Sequence, residues 1–233
     1  MKRNIFISVL FGIGLLITVE VNAQGYVFGP NMRVNDDPPG MNFHGTPNAG
    51  QRGVAVRGDT VYCAWRDDRV GNGVWFAKST DDGQTFLPNV QVDDGLGSAI
   101  LPTLAVGDDG IIYATWQDKR TPYSYWQVYF SKSTDGGLTF TPDVLVNDTA
   151  GGIQNHPHRN PSMAVDSAGI IYIAFDDARK AGYNIYFSRS TDGGATFLSN
   201  VLVNDTIADT LGDTRPALAL SDNSDIYVSW SKA

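Results

Sequence analysis

Glutamate is almost absent from this sequence: of its 25 acidic residues only Glu20 is a glutamate, and the rest are aspartates. Glutamate favours helices, whereas aspartate favours turns. The 25 glycines and 11 prolines also favour turns. The composition therefore argues against a helical bundle, a coiled coil or an α/β fold with long crossover helices. Lysine and arginine are also scarce, 17 residues against 25 acids, and the formal net charge is −8. We expect no nucleic-acid partner, because phosphate binding requires clustered basic residues.

The N-terminal segment has the features of a secretory signal peptide. Two basic residues precede an apolar run and a small-residue site that ends at Ala23, which predicts a signal over residues 1–23. We expect a secreted protein, extracellular or periplasmic, with no membrane span after cleavage, because the apolar run is short for a spanning helix. Cys63, the one cysteine, can form no internal disulfide, and its place in an alternating strand pattern predicts a buried thiol.

One segment recurs three times along the chain: STDDGQTF from Ser79, STDGGLTF from Ser133 and STDGGATF from Ser190, at offsets of 54 and 57 residues. Periods of this length are typical of propellers, solenoids and arrays. Strand patterns rich in aromatic and β-branched residues precede and follow each copy, and two more lie upstream in each unit. Four short antiparallel strands per unit, which we name A to D in chain order, form the blade of a β-propeller.

The register of these patterns predicts an all-β fold, a β-propeller of four-stranded antiparallel blades with three complete blades and a partial fourth. The last unit lacks its C strand and its Ser-Thr-Asp segment. Two explanations stay open, truncation of a six- or seven-bladed propeller or an irregular closure; we favour truncation because an unpaired edge promotes aggregation. Within a domain of residues 24–233, the predicted units are an N-terminal strand at 31–36, blades at about 51–94, 101–148 and 160–205, and the partial blade at 214–233.

The repeated segments resemble the Asp-box, also called the BNR repeat, of the sialidase-like β-propellers, and the resemblance extends over residues 30–233. We expect the Ser hydroxyl and the Asp carboxylate to bond backbone amides of a tight turn between strands C and D, and Phe to pack between sheets. Because turn chemistry explains these residues, we interpret them as structural. They are Ser79, Asp81, Gly83, Phe86, Ser133, Asp135, Gly137, Phe140, Ser190, Asp192, Gly194 and Phe197.

Blade topology places the B–C loops and the D–A connections on one face, which we call the loop face; the resemblance implies that a binding or active site would lie there. Each repeat carries an aromatic-x-Asp-x-Arg motif directly after strand B. Its arginines could bind a carboxylate or sulfate bidentately, or the motif could pair Asp with Arg to build the blade. Nearby aromatic rings could stack on sugars. The predicted ligand-binding residues are Arg69, Arg120, Arg179, Tyr123, Tyr125, Trp126, His156 and His158.

No metal site and no cofactor is predicted. His156 and His158 could ligate a metal, but the sequence identifies no third ligand. Adjacent aspartates at 93–94 and 108–109 could contact calcium, yet no loop has the spaced ligand order of a calcium-binding loop.

The same resemblance implies candidates for catalysis. Sialidases combine an Arg-x-Pro segment, which supplies one arginine of a carboxylate-binding triad, with an aspartate acid/base and a tyrosine nucleophile activated by a glutamate. The segment Arg159-Asn160-Pro161 is similar to Arg-x-Pro, and the weak catalytic candidates are Arg159, Asp177 and Tyr183. Residues 24–233 contain no glutamate, so this set is incomplete in the chain.

The sequence therefore predicts a secreted propeller that binds glycans or another extracellular ligand on its loop face. Two alternatives stay open. One is an exo-α-sialidase type of glycoside hydrolase whose further blades carry the glutamate. The other is an extracellular scaffold for a protein partner.

Overall fold

The computed structural model describes residues 29–38, 43–45, 52–120, 125–148, 157–180, 182–205 and 212–232. The predicted signal segment 1–23, Tyr123 and His156 lie outside these ranges. No helix long and apolar enough to span a membrane occurs in the part of the chain that is described. The strands are β1 (His44–Gly45), β2 (Val54–Arg57), β3 (Thr60–Asp67), β4 (Gly73–Ser79), β5 (Val90–Gln91), β6 (Ile100–Val106), β7 (Ile112–Asp118), β8 (Gln127–Ser133), β9 (Val144–Leu145), β10 (His158–Val165), β11 (Ile171–Asp177), β12 (Asn184–Ser190), β13 (Val201–Leu202), β14 (Asp213–Leu220) and β15 (Ile226–Lys232).

These strands form consecutive antiparallel sheets, which are the blades. Blade 1 comprises β1 to β5, blade 2 comprises β6 to β9 and blade 3 comprises β10 to β13, while β14 and β15 form a two-stranded fourth sheet. Blades 2 and 3 have the four-stranded meander in chain order, and blade 1 has it with its first strand in two pieces. The predicted architecture, three complete blades and a partial one, is confirmed.

The A strand of blade 1 is divided between β1 and β2. Both pair with β3: His44 lies opposite Asp67, and Val54 lies opposite Cys63. In blade 3 the single strand β10 pairs with β11 along both corresponding stretches, and the register shifts between them. Strand pairing in blade 1 therefore starts at His44, ahead of the boundary predicted at residue 51.

The prediction of an N-terminal strand at 31–36 is wrong, because these residues form no β-ladder. D strands pair over only two residues even in complete blades, and no C strand of a preceding blade lies beside this segment in the described chain. The segment still occupies the place of a D strand. Val34 is buried against Val61, Cys63 and neighbouring side chains of blade 1.

The hydrophobic cores lie between blades. Phe76 of blade 1 packs in one cluster with Leu104 and Ile112 of blade 2, and Phe130 of blade 2 packs with Met163 of blade 3. Because each central sheet has a neighbour on both sides, every residue of β7 and β11 is buried. Runs such as Ile171–Asp177 are therefore continuously apolar before they end in aspartate.

Cys63 is a free cysteine, 2% exposed, in the cluster that joins the N-terminal segment to blade 1. Burial raises the pKa of its thiol to about 12. The predicted buried, unreactive thiol is confirmed, because the reactive thiolate is disfavoured at physiological pH.

The three Ser-Thr-Asp segments form one turn structure between strands C and D. In the second, the Ser133 hydroxyl donates to Asp135 at 2.7 Å and accepts from the backbone of Gly137 at 2.8 Å, while Asp135 accepts from the Thr139 hydroxyl at 2.5 Å. The other two copies repeat these bonds. The bonds from Thr139 and Ser133 hold the pKa of Asp135 well below its usual range. This chemistry supports the structural interpretation of the segments.

The second and third turns also pack against the blade before them. Gly194, at φ +89°, lies so close to the Phe130 ring that an added Cβ would overlap it. Phe197 of the same segment meets Phe130 edge-on, with 5.3 Å between ring centres. Lys132 of blade 2 donates to the Gly193 carbonyl at 2.6 Å. The segment thus joins two blades at the end opposite the loop face.

Candidate functional site

Each aromatic-x-Asp-x-Arg motif is the centre of a contact between its own blade and the chain segment that precedes that blade, and we call this contact a clasp. In clasp 3, Arg179 donates to Asp177 of its own blade at 2.5 Å, to Asp148 of the preceding blade at 2.8 Å and to Asn200 at 2.9 Å. Its guanidinium lies 4.2 Å from the centre of the Tyr186 ring. The backbone amide of Asp148 in turn donates to Asn200. One side chain therefore connects two blades through charge, hydrogen bonds and ring contact.

Clasps 1 and 2 repeat this arrangement around Arg69 and Arg120. The three arginine side chains are only 14%, 10% and 13% exposed, in chain order. Because their donors already contact protein acceptors, the geometry supports the blade-building alternative for these predicted ligand-binding residues. The partners are Asp67, Asp36, Asn89 and the Trp75 ring for Arg69, and Asp118, Asp94, Asp143 and the Tyr129 ring for Arg120.

Clasp 2 has an aspartate where the other clasps have an asparagine. Asn89 and Asn200 each donate from Nδ2 to a backbone carbonyl of the preceding D segment, at 3.1 and 3.3 Å. Asp143 holds the same position in blade 2, and its Oδ1 is buried without a hydrogen-bond partner. The equivalent carbonyl belongs to Val92. If Asp143 were ionised, its carboxylate and the Val92 carbonyl would both be acceptors. A protonated Asp143 can donate a hydrogen bond to such a carbonyl, as the asparagine amides do.

Burial favours the protonated form of Asp143. Burial raises the pKa of Asp143 to about 7; Arg120 opposes this shift and the nearby Asp94 adds to it. Clasp 2 places three carboxyls, those of Asp94, Asp118 and Asp143, around one guanidinium. Asp143 therefore keeps its proton through the weakly acidic range.

His158 starts β10 and is fully buried. Its Nδ1 lies 2.8 Å from Asp177, and its ring meets Phe175 at 6.1 Å between centres. This burial favours a packing role over contact with a ligand.

Asp37, His44 and Asp67 form the one group of buried potential metal ligands in the described ranges, with ligand atoms within 4.8 Å of one another. His44 lies 3.0 Å from Asp37 and 3.2 Å from Asp67, which are hydrogen-bond distances. Arg69 lies 2.7 Å from Asp67 and 3.4 Å from Asp37. With a guanidinium beside both carboxylates, the cluster fits an ion-pair network better than a cation site.

Three further positions at the loop-face end of each blade lie beside the clasp, and we call them the rim. In chain order they are a strand A residue, the penultimate residue of strand B that lies opposite it, and the residue before strand C. In blades 1, 2 and 3 they are Gly45, Arg66 and Asn72; Ile100, Gln117 and Trp126; and Arg159, Asp176 and Tyr183.

Among the complete blades, blade 3 alone has opposite charges at the paired rim positions. The Arg159 guanidinium lies 3.9 Å from the centre of the Tyr183 ring, and its Nη2 is 3.7 Å from Asp176. Asn160, at φ +52°, donates from Nδ2 to both oxygens of Asp176 at 3.0 Å. Its backbone amide donates to Gln117 of blade 2 at 3.0 Å. The rim of blade 3 is therefore fixed on both sides.

Arg159 differs from the clasp arginines in how its donors are used. Its side chain is 33% exposed; among the described residues its one carboxylate neighbour is at 3.7 Å and its buried Nε has no hydrogen-bond partner. The Tyr183 ring supports one face of the guanidinium. Arg159 thus presents a positioned guanidinium with donors to spare, which suits an anionic ligand.

The pKa values of the two adjacent aspartates at the end of β11 are shifted in opposite directions. Burial raises the pKa of Asp176 to about 7, against the effects of Arg159 and Asn160. For Asp177 burial acts in the same direction, but the bonds from His158 and Arg179 outweigh it and lower the pKa. Asp177 is therefore an ionised clasp residue, whereas Asp176 is a buried carboxyl that titrates near neutrality.

The predicted catalytic candidates are only partly brought together. Arg159 and Tyr183 are in contact, but the carboxyl beside them is Asp176, which the motif search missed, and Asp177 belongs to the clasp. A signal was available in the repeats: where blade 3 has Asp176, the other complete blades have Arg66 and Gln117. In this chain the departure from the repeat at this position coincides with the candidate site, whereas the motif shared by the three complete blades forms the clasps.

Tyr125 and Trp126 are half-buried at the blade 2 side of this site. The Trp126 carbonyl accepts from the backbone amide of His158 at 2.9 Å, so the aromatic loop ends beside the start of β10 and Arg159. Their role in stacking on a sugar stays a prediction.

The contrast between arginines predicts different costs of substitution. Arg179→Gln should lower the free energy of unfolding by about 2 kcal/mol, because it leaves the carboxylates of Asp177 and Asp148 without their shared cation. Arg159→Gln should cost less than about 1 kcal/mol, since it removes a partly exposed group with one distant ion pair. Urea denaturation of both variants measures the difference. Equal costs would contradict the division of the arginines into structural and available ones.

No family model matches the sequence, and neither does any curated protein. The fold, however, is similar to solved structures. A protein of unknown function from Dyadobacter fermentans DSM 18053 matches with a TM-score of 0.60 and 15% identity over 88% of this chain and 60% of its own. The Hadza microbial sialidase Hz136 matches with a TM-score of 0.52 and 16% identity over 75% of this chain and 39% of its own.

A third match is the polysaccharide lyase family PL25 ulvan lyase bound to -[GlcA(1-4)Rha3S]-, with a TM-score of 0.55 and 13% identity over 80% of this chain and 46% of the lyase. This chain thus spans 39% to 60% of the length of the three structures. At these identities the likeness shows the fold alone. It places the chain among the propeller architectures that include glycoside hydrolases and polysaccharide lyases.

Proposed function

We propose that this protein binds an acidic carbohydrate on its loop face, with Arg159 contacting a carboxylate or sulfate group of the ligand. The observation that carries the proposal is the state of the Arg159 guanidinium, which is partly exposed, supported by Tyr183 and, within the described part of the chain, no closer than 3.7 Å to a carboxylate. A planar guanidinium with free donors binds such anions bidentately.

The surroundings of Arg159 supply the rest of a sugar site. Tyr183 fixes the guanidinium before a ligand arrives, which lowers the entropy lost on binding. Trp126 of the blade 2 rim and its neighbour Tyr125 offer aromatic faces to a pyranose ring. The proposal thus combines one cationic contact with ring stacking.

The comparisons support this class of ligand. Two of the structures that share the fold are a sialidase and a lyase with a glucuronate-containing fragment bound, and sialic acid and glucuronate both carry a carboxylate. The proposal includes export of the chain and the Asp-box identity of its Ser-Thr-Asp segments, both suggested by the sequence. It does not include catalysis, because Asp176 is fully buried and Asp177 is held in clasp 3.

The test is calorimetric titration of the purified protein with acidic and neutral oligosaccharides. Sialyllactose and trigalacturonate represent carboxylated ligands, heparin disaccharide represents sulfated ones, and lactose is the neutral control. We expect binding of at least one acidic ligand and a loss of about tenfold or more in affinity for Arg159→Gln. Arg189→Gln, an exposed arginine at the far end of the same blade, is the matched control.

Three results would contradict the proposal. They are equal binding of lactose, undiminished binding by Arg159→Gln, and an equal loss in Arg189→Gln. Release of the fluorophore from a fluorogenic sialoside would show catalysis and would favour the hydrolase alternative. Absence of all sugar binding, together with capture of a defined protein partner, would favour the scaffold.

A further inference from the structure

The carboxyl of Asp176 lies beneath Arg159 and is fully buried, so a ligand cannot touch it. Its nearest polar contacts are the Asn160 amide, at 3.0 Å from both oxygens, and Arg159 Nη2 at 3.7 Å. We propose that Asp176 is a positioning residue whose charge controls how strongly Arg159 holds an anion. This inference rests on the proposed function and adds its regulation by pH.

The bonding of Asp176 leaves both protonation states accessible. Asp177, its neighbour, accepts from the backbone and side chain of Arg179 and lies 2.8 Å from His158. Asp176 has only neutral donors, the Asn160 amide and its own backbone amide, besides one guanidinium at 3.7 Å. A buried carboxylate with so few donors is costly to ionise, and the pKa of about 7 that results mainly from its burial agrees with this geometry.

The charged groups that face Asp176 define the switch. Arg159 on β10 opposes its protonation, Asp177 on β11 favours it, and Tyr183 before β12 lies across the Arg159 guanidinium. When Asp176 is ionised, Arg159 already has a counter-charge, so an incoming anion meets a nearly neutral pair. When Asp176 is protonated, the guanidinium carries its full charge into the site. Anion affinity should therefore be high below the pKa of Asp176 and fall as the pH rises through it.

The repeats support a specific role for this pair. Gly45 opposes Arg66 in blade 1, and Ile100 opposes Gln117 in blade 2, so neither blade combines an arginine with a buried acid at the rim. Blades 1 and 2 therefore form the same kind of sheet without an arginine–aspartate pair at the rim. Arg159 and Asp176 form a local addition to blade 3.

The experiment uses inorganic sulfate, whose own charge is constant over the range tested. We expect the dissociation constant of sulfate for the intact protein to rise about tenfold between about pH 5.5 and about pH 8.5. Asp176→Asn should bind sulfate with the low-pH affinity throughout. Asp93→Asn changes another buried carboxyl of raised pKa, which belongs to blade 1 and bonds Val74 there, and should keep the pH dependence of the original protein.

A second readout needs no ligand. The Nε–H nuclear magnetic resonance signal of Arg159 should shift with pH at the same midpoint as the Asp176 carboxyl carbon, and this shift should vanish in Asp176→Asn. If Asp176→Asn does not fold, the midpoints of the Arg159 and Asp176 signals can still be compared in the original protein. Independent midpoints would overturn the proposal, as would sulfate affinity that ignores pH in the original protein or follows it in Asp176→Asn. If the midpoints coincide but sulfate never binds, the anion-binding function fails and the coupling of Asp176 to Arg159 stands.

Discussion

Asp143→Asn should make the protein more stable at about pH 8, by on the order of 2 kcal/mol, and change its stability little at about pH 4. The substitution turns clasp 2 into the arrangement of the other two clasps, where Asn89 and Asn200 donate to a backbone carbonyl. At high pH it also removes one of three carboxyls around Arg120. Thermal and urea denaturation across this pH range measure the effect.

The sign follows from the raised pKa of Asp143. Its folded-state pKa is about 7, above the ordinary value of 3.8. Below the ordinary value both the folded and unfolded states are protonated, and the contribution of Asp143 to stability is fully present. As the pH rises from about 4 to about 7, the unfolded chain releases its proton while the folded protein retains it, so stability falls and then levels off. The asparagine variant should lack this part of the pH dependence.

Clasp 3 offers the reciprocal test. Asn200→Asp installs the aspartate where the structure has an amide, and it should introduce a loss of stability between about pH 4 and about pH 7 like that which Asp143 causes. A flat difference between Asp143→Asn and the original protein over this range would show that Asp143 is ionised in the folded state. The account of clasp 2 would then be wrong.

Gly194→Ala should be strongly destabilising, with a loss of about 3 kcal/mol or more in the free energy of unfolding. Two costs add: the backbone is at φ +89°, and the new methyl group would overlap the Phe130 ring of the preceding blade. Since Phe197 also packs on that ring, the ring has little room to move. Chemical denaturation is the measurement.

Gly110→Ala separates the two costs. Gly110 has φ +81° in a turn of blade 2, and an added Cβ there has no neighbour within 4 Å. It should lose only the backbone contribution, about 1 to 2 kcal/mol. Combining Gly194→Ala with Phe130→Leu should restore part of the packing loss, because the smaller side chain makes room. Equal losses for the two alanine variants, without any rescue, would refute the packing explanation.

The architecture was accessible from sequence because it is repeated. Strand patterns and turn residues recur with the Ser-Thr-Asp segments, so errors in one unit are corrected by the others. Where a repeat is absent, the prediction failed. Residues 31–36 form no strand, and no C strand lies beside them in the described ranges. The first strand of blade 1 is divided between β1 and β2.

The site was harder to predict because charge motifs have two uses. The pattern that ends in Arg69, Arg120 and Arg179 is compatible with blade contacts, as its repetition suggests, and also with a ring of guanidinium groups. Only distances separate the two. Asp176 was missed since its neighbour Asp177 belongs to the repeated motif. Its burial and its pairing with Arg159 depend on strand register, which no local pattern specifies.

The most direct test of the central claim is to observe the arginines while an acidic sugar is added. In protein labelled with ¹⁵N-arginine, titration with trigalacturonate or sialyllactose can be followed at the Nε–H signals. We predict that Arg159 shifts with the ligand, while Arg69, Arg120 and Arg179 keep their positions because they are bonded within the clasps. Shifts of the clasp arginines with Arg159 unchanged would contradict the account.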